Sequence, residues 1–411
     1  QCALSGCHNF AAGQSALYGN NGGCCNTSIG YLSLQCNTAG TANTAIGAQS
    51  LRYNTTGSNN VALGPISLHK NTAGGDNIAL GCNALYGNTT GGCNFAAGVF
   101  SLKNNLSANH NTAIGLYALM ENHSGYYNTA IGNSALKNNT TGSSNFAAGL
   151  CALYSNCCGS CNTAIGKDAL FSNTTGCYNT AIGKDALKNS LSGDHNFAAG
   201  QCALYSNWGG SCNTAIGQNA LLCNTTGTYN TAIGLCALLN NTTGGCNNAI
   251  GRGAMQYNTT GGNNNAIGYQ ALFANTTGDY NTAIGRKALL FNTTGDHNTA
   301  IGFCALQNSL SGDHNFAAGA CALYSNWGGG CNTAIGCGAL KANTTGGGNV
   351  ALGKQALLSN TTGSHNSAMG YEALGTNTTG DYNAAIGQYA LCANTTGCCN
   401  NAIGQNALYS N

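Results

Sequence analysis

Residues 281–297 read Asn-Thr-Ala-Ile-Gly-Arg-Lys-Ala-Leu-Leu-Phe-Asn-Thr-Thr-Gly-Asp-His, and this stretch states the pattern of the whole chain. A copy begins every 17 residues from Asn9 to Asn400, 24 times without insertion or deletion. Counted from that first residue, position one is Asn and position five is Gly in all 24 copies. Position three is Ala except at Ser28, and position nine is Leu except at Met255. A fixed period of this kind is typical of solenoids and other repeat arrays.

The period favours a β-solenoid over a helical repeat. Seventeen residues are too few for a pair of helices, which needs about 30 or more. Two Gly and two Asn in each repeat also oppose a helix, because Gly costs about 1 kcal/mol relative to Ala inside one. The pattern predicts an all-β chain, a parallel β-solenoid of about 24 coils with two short strands per coil. The first strand covers positions one to four, the second runs through the Ala-Leu pair, and Asn-Thr-Thr-Gly makes a wider return. At about 4.8 Å per coil, such a stack spans roughly 115 Å.

We expect a single domain over residues 1–411, an uninterrupted array with no visible caps. Gln1 falls at position ten of a repeat and Asn411 at position twelve, so the pattern reaches both ends of the sequence. Uncapped coil edges are templates for further strand pairing, and a head-to-tail contact of this kind propagates into a filament. The alternative is that the sequence is a slice of a longer array.

Side-chain volumes predict which way the first strand faces. Most repeats carry Thr at position two and Ile at position four, but Phe95 is followed by Ala97 and Phe316 by Ala318. This exchange of volume is typical of a close-packed interior, so positions two and four are expected to point inward. Ala at position three then points outward. Its near-invariance predicts that a neighbouring chain packs closely on that face.

Composition and motifs argue against several functions. The 411 residues include 12 Lys and Arg and 10 Asp and Glu, a net charge of +2, so a nucleic-acid partner is not expected. The sequence has no apolar run of about 18 residues, so we expect no membrane insertion. It also has no Ser-His-Asp set, paired catalytic carboxylates or phosphate-binding loop. We therefore predict a protein that is not an enzyme and that needs no cofactor.

The first half of each repeat resembles the heads of the YadA-like trimeric autotransporter adhesins, whose repeats carry an Asn-Ser-Val-Ala-Ile-Gly type signature. The similar stretches here are Asn43-Thr-Ala-Ile-Gly47, Asn60-Val-Ala-Leu-Gly64 and Asn26-Thr-Ser-Ile-Gly30. The resemblance implies left-handed parallel β-roll coils, a trimer and an adhesive role at a cell surface. This chain departs from the family in its longer repeat, with an added Asn-Thr-Thr-Gly return, and in its 24 Cys.

Stacking turns each position into a column. Asn at positions one and twelve is expected to form two ladders of side-chain amides that satisfy backbone groups of the next coil. The Asn at position twelve is also the first residue of an N-glycosylation sequon in many repeats. Asn is present at this position even in repeats without a sequon, as at Asn71 and Asn326. The favoured interpretation is that Asn at position twelve is structural and that some of these sites also carry a glycan. The candidate N-glycosylation sites are Asn54, Asn88, Asn105, Asn122, Asn139, Asn173, Asn224, Asn241, Asn258, Asn275, Asn292, Asn343, Asn360, Asn377 and Asn394.

The 24 cysteines are unevenly placed along the chain. Their even number, in a polar chain with few charged residues, suggests an oxidising exterior. Cys304 and Cys321 share a column in adjacent coils, near enough for a disulfide if their side chains turn together. Four repeats hold a cysteine at both position seven and position seventeen, and these cysteines look like pairs or like the product of duplication. These further candidates are Cys151 with Cys161, Cys202 with Cys212, Cys236 with Cys246, and Cys321 with Cys331. Connectivity stays open at this stage. Only one Cys-x-x-Cys spacing occurs, from Cys158 to Cys161, and one such pair is too few ligands to predict a four-coordinate zinc site.

Position seventeen collects Tyr, Cys and most of the His residues. Three of these His follow an Asp, as in Asp296-His297 and Asp313-His314, a pattern that could indicate acid–base pairs. An exposed, permissive column is the favoured interpretation. His297 and His314 stack in consecutive coils and could bind an adventitious metal, but we predict no dedicated metal site.

We expect the chain to be a structural subunit of an extracellular or cell-surface fibre that assembles end to end, laterally or both. Its partners would then be further copies of itself, and glycans or other host-surface ligands if it is adhesive. The first alternative is an ice-binding β-solenoid, because flat solenoids with regular Thr ranks can order water. Under the inward assignment, however, Thr at position two is buried. The second alternative is a segment of a phage or virion tail fibre.

Overall fold

A computed structural model of the chain describes residues 6–410, and the predictions for Gln1 and Asn411 as chain ends concern residues outside this range. Within it, every regular element is a three-residue β-strand and no residue is helical. Each strand occupies positions two to four of a repeat. The predicted all-β solenoid with a 17-residue repeat is therefore confirmed, with 24 parallel strands.

The chain forms two compact units, Gln1–Gly209 and Gly210–Asn411. The first unit contains β1 (Phe10–Ala12), β2 (Thr27–Ile29), β3 (Thr44–Ile46), β4 (Val61–Leu63), β5 (Ile78–Leu80), β6 (Phe95–Ala97), β7 (Thr112–Ile114), β8 (Thr129–Ile131), β9 (Phe146–Ala148), β10 (Thr163–Ile165), β11 (Thr180–Ile182) and β12 (Phe197–Ala199). The second contains β13 (Thr214–Ile216), β14 (Thr231–Ile233), β15 (Asn248–Ile250), β16 (Asn265–Ile267), β17 (Thr282–Ile284), β18 (Thr299–Ile301), β19 (Phe316–Ala318), β20 (Thr333–Ile335), β21 (Val350–Leu352), β22 (Ser367–Met369), β23 (Ala384–Ile386) and β24 (Asn401–Ile403).

Within each unit, consecutive strands pair in parallel with a register of one repeat. In the second unit, Thr282 lies opposite Thr299 and Ile284 opposite Ile301. The backbone amide of Thr282 donates to the carbonyl of Asn298 in the following coil, at 2.8 Å. The amide of Gly285 donates to the carbonyl of Ile267 in the preceding coil, also at 2.8 Å. Each coil is thus bonded to both neighbours by the ladder of a parallel sheet.

Each coil has one regular strand rather than the expected two. The Ala-Leu pair lies in a turn, because positions seven and nine both adopt left-handed backbone conformations. In one coil φ is +59° at Lys287 and +49° at Leu289. Hydrogen bonds between coils continue through this turn, since the amide of Leu289 donates to the carbonyl of Ala305 at 2.9 Å. The turns of adjacent coils are therefore hydrogen-bonded to one another as regularly as the strands are, although their backbone is not extended.

The predicted direction of the strand side chains is wrong. Ala at position three is fully buried, as at Ala283, whereas Thr at position two is half-buried and Ile at position four is exposed. The exposed fraction is 40% at Ile301. Positions two and four are neighbours on the outer face, so their exchange of volume reflects packing on that surface. The interior also holds Leu at position nine and two rows of Asn, and position three carries only small side chains, Ala or the buried Ser28.

Glycine at position five is required by the backbone. Gly268 adopts φ +138°, a conformation that L side chains rarely adopt. A Cβ atom added there would lie 2.6 Å from the carbonyl oxygen of Gly285 in the next coil. Any side chain would therefore force neighbouring coils apart, which explains why this position is Gly in all 24 repeats.

Candidate functional site

The Asn residues at position twelve form a buried ladder along each unit. In the second unit, Nδ2 of Asn275 donates to Oδ1 of Asn258 in the preceding coil at 2.7 Å. The same Nδ2 donates to the carbonyl of Gly278 in its own coil at 2.9 Å. Both hydrogens of the amide are thus used, and its oxygen accepts from Asn292 in the following coil at 2.9 Å. The arrangement satisfies every polar atom of a fully buried side chain.

The Asn residues at position one form a second ladder that joins side chain to backbone. Oδ1 of Asn247 accepts a hydrogen bond from the backbone amide of Asn264 in the next coil, at 3.0 Å. Nδ2 of Asn264 donates to the carbonyl of Gly278 at 2.8 Å. That carbonyl therefore receives one amide from each ladder, Asn264 and Asn275. Both ladders were expected from the sequence.

The ladder at position twelve has two gaps, where Ser replaces Asn. Ser190 and Ser309 are fully buried, and their hydroxyl groups have no hydrogen-bond partner. The Oδ1 atoms of Asn173 and Asn292, which would accept from the missing amides, are also without a partner. Each gap therefore leaves two buried polar atoms unsatisfied.

The candidate glycosylation sites all belong to the buried ladder. Every one of these Asn side chains is at most 1% exposed, and Asn275 shows how the amide nitrogen uses both of its hydrogens. A sugar replaces one hydrogen of Nδ2, so attachment requires that a ladder bond be broken. The folded coil therefore opposes modification at position twelve. Whether the chain carries glycans stays a prediction.

The candidate disulfide cysteines are free thiols, as are all cysteines within residues 6–410. Cys304 is buried and Cys321 half-buried. Burial raises the pKa of the Cys304 thiol, and the neighbouring Cys321 adds to this effect, in keeping with their shared column. Burial also raises the pKa of Cys151 and of Cys202. The cysteines at position seventeen are more open: Cys161, Cys246 and Cys331 are exposed, and Cys212 is half-buried. The pairings of these cysteines, including Cys236 with Cys246, stay predictions.

The column at position seventeen is a stack of exposed rings on left-handed backbone. His297 lies between Tyr280 and His314, with ring centroids 4.9 Å apart on each side. Tyr280 is 56% exposed. The adjacent carboxylates have a structural role, because Oδ1 of Asp296 accepts from the backbone amide of Asp279 at 2.7 Å. This contact does not form the acid–base pair that the sequence suggested. Within residues 6–410, His, Cys, Asp and Glu form no group of three that could hold a metal ion.

The outer face of the strand is apolar and exposed at position four. That position is Ile, Leu, Met or Ala in all 24 repeats. Most Ile side chains there are exposed, for example Ile284 at 36% and Ile335 at 43%, whereas Ile233, Ile250 and Ile267 are half-buried. Solvent-facing positions of a sheet normally carry polar residues, so an exposed column without a single polar residue is a candidate interaction surface. The sequence already contained this signal in the strict apolarity of position four, but the inward assignment concealed it.

A buried His in the first unit was missed by sequence reasoning. His69 is 7% exposed, and its Nδ1 lies 3.0 Å from the carbonyl oxygen of Gln49. The rings of Tyr53 and Tyr86 pack against it at 5.0 and 5.4 Å. Burial lowers the pKa of His69, and the charges of Arg52 and Lys70 lower it further. Position ten is otherwise variable, so the sequence gave no sign of this environment.

The sequence matches no protein-family model, and no curated protein matches it either. Residues 6–410 include no helix with the length and apolarity needed to cross a membrane. The fold and its surfaces therefore carry the functional argument.

Proposed function

We propose that the chain is a structural subunit of an extracellular or cell-surface fibre, in which copies associate laterally through the outer face of the strands. The observation that carries this proposal is the exposed apolar column at position four, which is never interrupted by a polar residue in 24 repeats. Contiguous exposed apolar surface is typical of protein interaction sites. The role is mechanical and needs no catalytic residue.

A second copy of this chain is the partner that best fits the column. The apolar side chains recur once per coil, at the spacing of adjacent strands, about 4.8 Å. Only a partner with the same period can match the column coil by coil along its length, and another copy has that period. Thr at position two lies beside the apolar column and is half-buried, so it can contribute hydroxyl groups to the rim of such an interface. Earlier expectations placed association on the Ala face, which is buried inside the coil.

The uniformity of the coils supports end-to-end assembly. Each coil offers the same backbone donors and acceptors to its neighbours and the same Asn amides at positions one and twelve. The upper face of any coil therefore complements the lower face of any other. Adhesion to glycans or other surface ligands would be a natural use of such a fibre.

Sedimentation analysis and negative-stain electron microscopy test the lateral interface. Replacing Ile267, Ile284 and Ile301 by Glu places three charges in the apolar column, and we expect lateral association to be lost while end-to-end association remains. The matched control replaces Thr260, Thr277 and Thr294, at exposed position fourteen, by Glu and should keep the assembly. Circular dichroism must be unchanged in both variants. A parent protein that stays monomeric at all concentrations would refute lateral association, and short discrete rods would refute end-to-end growth.

Ice binding is a second candidate, and one structural observation favours it. Thr at position two faces the outside of the strand, contrary to the inward assignment that had counted against this function. The Thr rank is incomplete, because Asn248 and Asn265 interrupt it in adjacent coils and Phe316 follows further on. Thermal hysteresis of the purified protein separates the two candidates. Its absence at millimolar protein concentration would remove ice binding.

A further inference from the structure

Three pairs of adjacent cysteines occur in the chain, and they fall at two different places in the coil. Cys24–Cys25 and Cys398–Cys399 occupy positions sixteen and seventeen, whereas Cys157–Cys158 occupies positions thirteen and fourteen, in the wide return. The Sγ atoms of Cys157 and Cys158 lie 3.0 Å apart. In each of the other pairs, the first sulfur atom contacts the backbone: Sγ of Cys24 accepts from the amide of Cys7 at 3.1 Å, and Sγ of Cys398 accepts from the amide of Asp381 at 3.4 Å.

The backbone holds the Cys157–Cys158 pair in place from both sides. The amides of Cys157 and Cys158 both donate to the carbonyl of Thr174 in the following coil, each at 3.0 Å. The carbonyl of Cys157 accepts from the amides of Thr140 and Thr141 in the preceding coil, at 2.9 and 3.0 Å. Because both neighbouring coils fix this dipeptide, the two sulfur atoms are preorganised, and a ligand that joins them pays little ordering entropy.

The pair is also accessible and chemically polarised. Cys158 is exposed and Cys157 is half-buried. The hydrogen bond between the two thiols raises the pKa of Cys157 and lowers the pKa of Cys158. The hydroxyl of Thr140 lies 3.2 Å from Sγ of Cys157. The lowered pKa favours the thiolate of Cys158, and the thiolate is the reactive form of cysteine.

We propose that Cys157 and Cys158 form a chelating dithiol site for a soft, thiophilic metalloid of the trivalent arsenic class. Thiolates are the protein ligands that select soft centres. A separation of 3.0 Å suits two neighbouring ligands of a pyramidal centre, whereas a linear two-coordinate ion needs its sulfur ligands on opposite sides. With an organic arsine oxide, two arsenic–sulfur bonds form and the arsenic–oxygen double bond breaks. The two thiol protons leave with the oxide oxygen as one water molecule, and no electron is transferred.

Phenylarsine oxide is the probe that tests the site. The reduced, folded protein is treated with one equivalent of the reagent, the remaining thiols are blocked with iodoacetamide, and the digested peptides are weighed by mass spectrometry. We expect one phenylarsenic group bridging Cys157 and Cys158, released by a competing dithiol but not by a monothiol. Cys24–Cys25 and Cys398–Cys399 should be alkylated in the folded protein and should compete for the reagent only after unfolding.

Single substitutions provide the controls. Cys157→Ser and Cys158→Ser should each abolish capture, while Cys161→Ser, an exposed cysteine of the same coil, should leave it unchanged. Circular dichroism confirms that each variant is folded. The proposal is overturned if the folded parent takes up no reagent, if the reagent spreads equally over the three adjacent pairs, or if either Ser variant at the site still binds it tightly.

Discussion

The gap in the amide ladder at Ser309 predicts that a single substitution should stabilise the second unit. In Ser309→Asn, the new Nδ2 takes the place that Asn275 and Asn292 have in their own coils. It can donate to Oδ1 of Asn292, which lacks a partner, and to the carbonyl of Gly312. The backbone needs no change, because Asn stands at position twelve in 22 of the 24 repeats.

The expected gain can be worked from the unsatisfied atoms. The substitution gives a buried acceptor its hydrogen bond and removes a buried hydroxyl without a partner. Leaving one buried polar group unsatisfied costs about 1–3 kcal/mol. Because Asn also loses more side-chain entropy than Ser on burial, we expect a net gain of about 1–3 kcal/mol. In a repeat array this gain is local to the coil and its neighbours.

Native-state hydrogen exchange measures such a local change. Amides of the coils around Asn292 and Ser309 should become more protected in Ser309→Asn, with little change many coils away. The reverse substitution is the control: Asn275→Ser opens a new gap, leaves Oδ1 of Asn258 without its donor, and should cost a similar amount. Unchanged protection in both variants would show that the ladder does not stabilise the coil and would refute the reasoning.

Three further predictions follow from single features. Gly268→Ala should destabilise the second unit by at least about 2 kcal/mol, because φ there is +138° and the added Cβ meets the next coil; Gly328→Ala, whose Cβ would meet only Oγ of Ser311 at 3.9 Å, should be nearly neutral in thermal melts. The lowered pKa of buried His69 means that the unfolded chain binds the proton more readily. Stability should therefore fall as the pH drops below about 6.5. In His69→Gln, the melting temperature should change less between pH 7 and pH 5 than in the parent protein. Treatment with peptide N-glycosidase should leave the intact mass unchanged, because the sequon amides are buried; a mass loss would show that some coils fold around a modified Asn.

The period, the parallel register and the two Asn ladders could all be predicted from the sequence. Each depends on identity at a fixed spacing: an Asn that recurs every 17 residues can bond only to its copies once the coils stack. The need for Gly at position five was also visible, because an invariant Gly marks backbone that a side chain would not tolerate. For these features, the evidence is the recurrence of the same residue at the same position in many copies, which one copy of the motif would not have provided.

Which face of the strand is buried could not be predicted in the same way. Alternation identifies two faces but does not say which is buried, and residues that trade volume can share an outer surface as well as an interior. Near-invariance was the better guide, since Ala283 and Leu289 lie inside and variable Thr or Phe lies outside. The missing second strand has a different cause. Leu in the left-handed region at position nine is uncommon, and it leaves no local mark in the sequence.

The central claim is that each 17-residue repeat is one coil, hydrogen-bonded in register to the next. An experimental crystal structure tests it most directly through the distance from Nδ2 of Asn275 to Oδ1 of Asn258. The account predicts a hydrogen bond near 2.7 Å, with equivalent Cα atoms of adjacent coils separated by about 4.8 Å. Helices within a repeat, or equivalent Asn residues too far apart to bond, would contradict it.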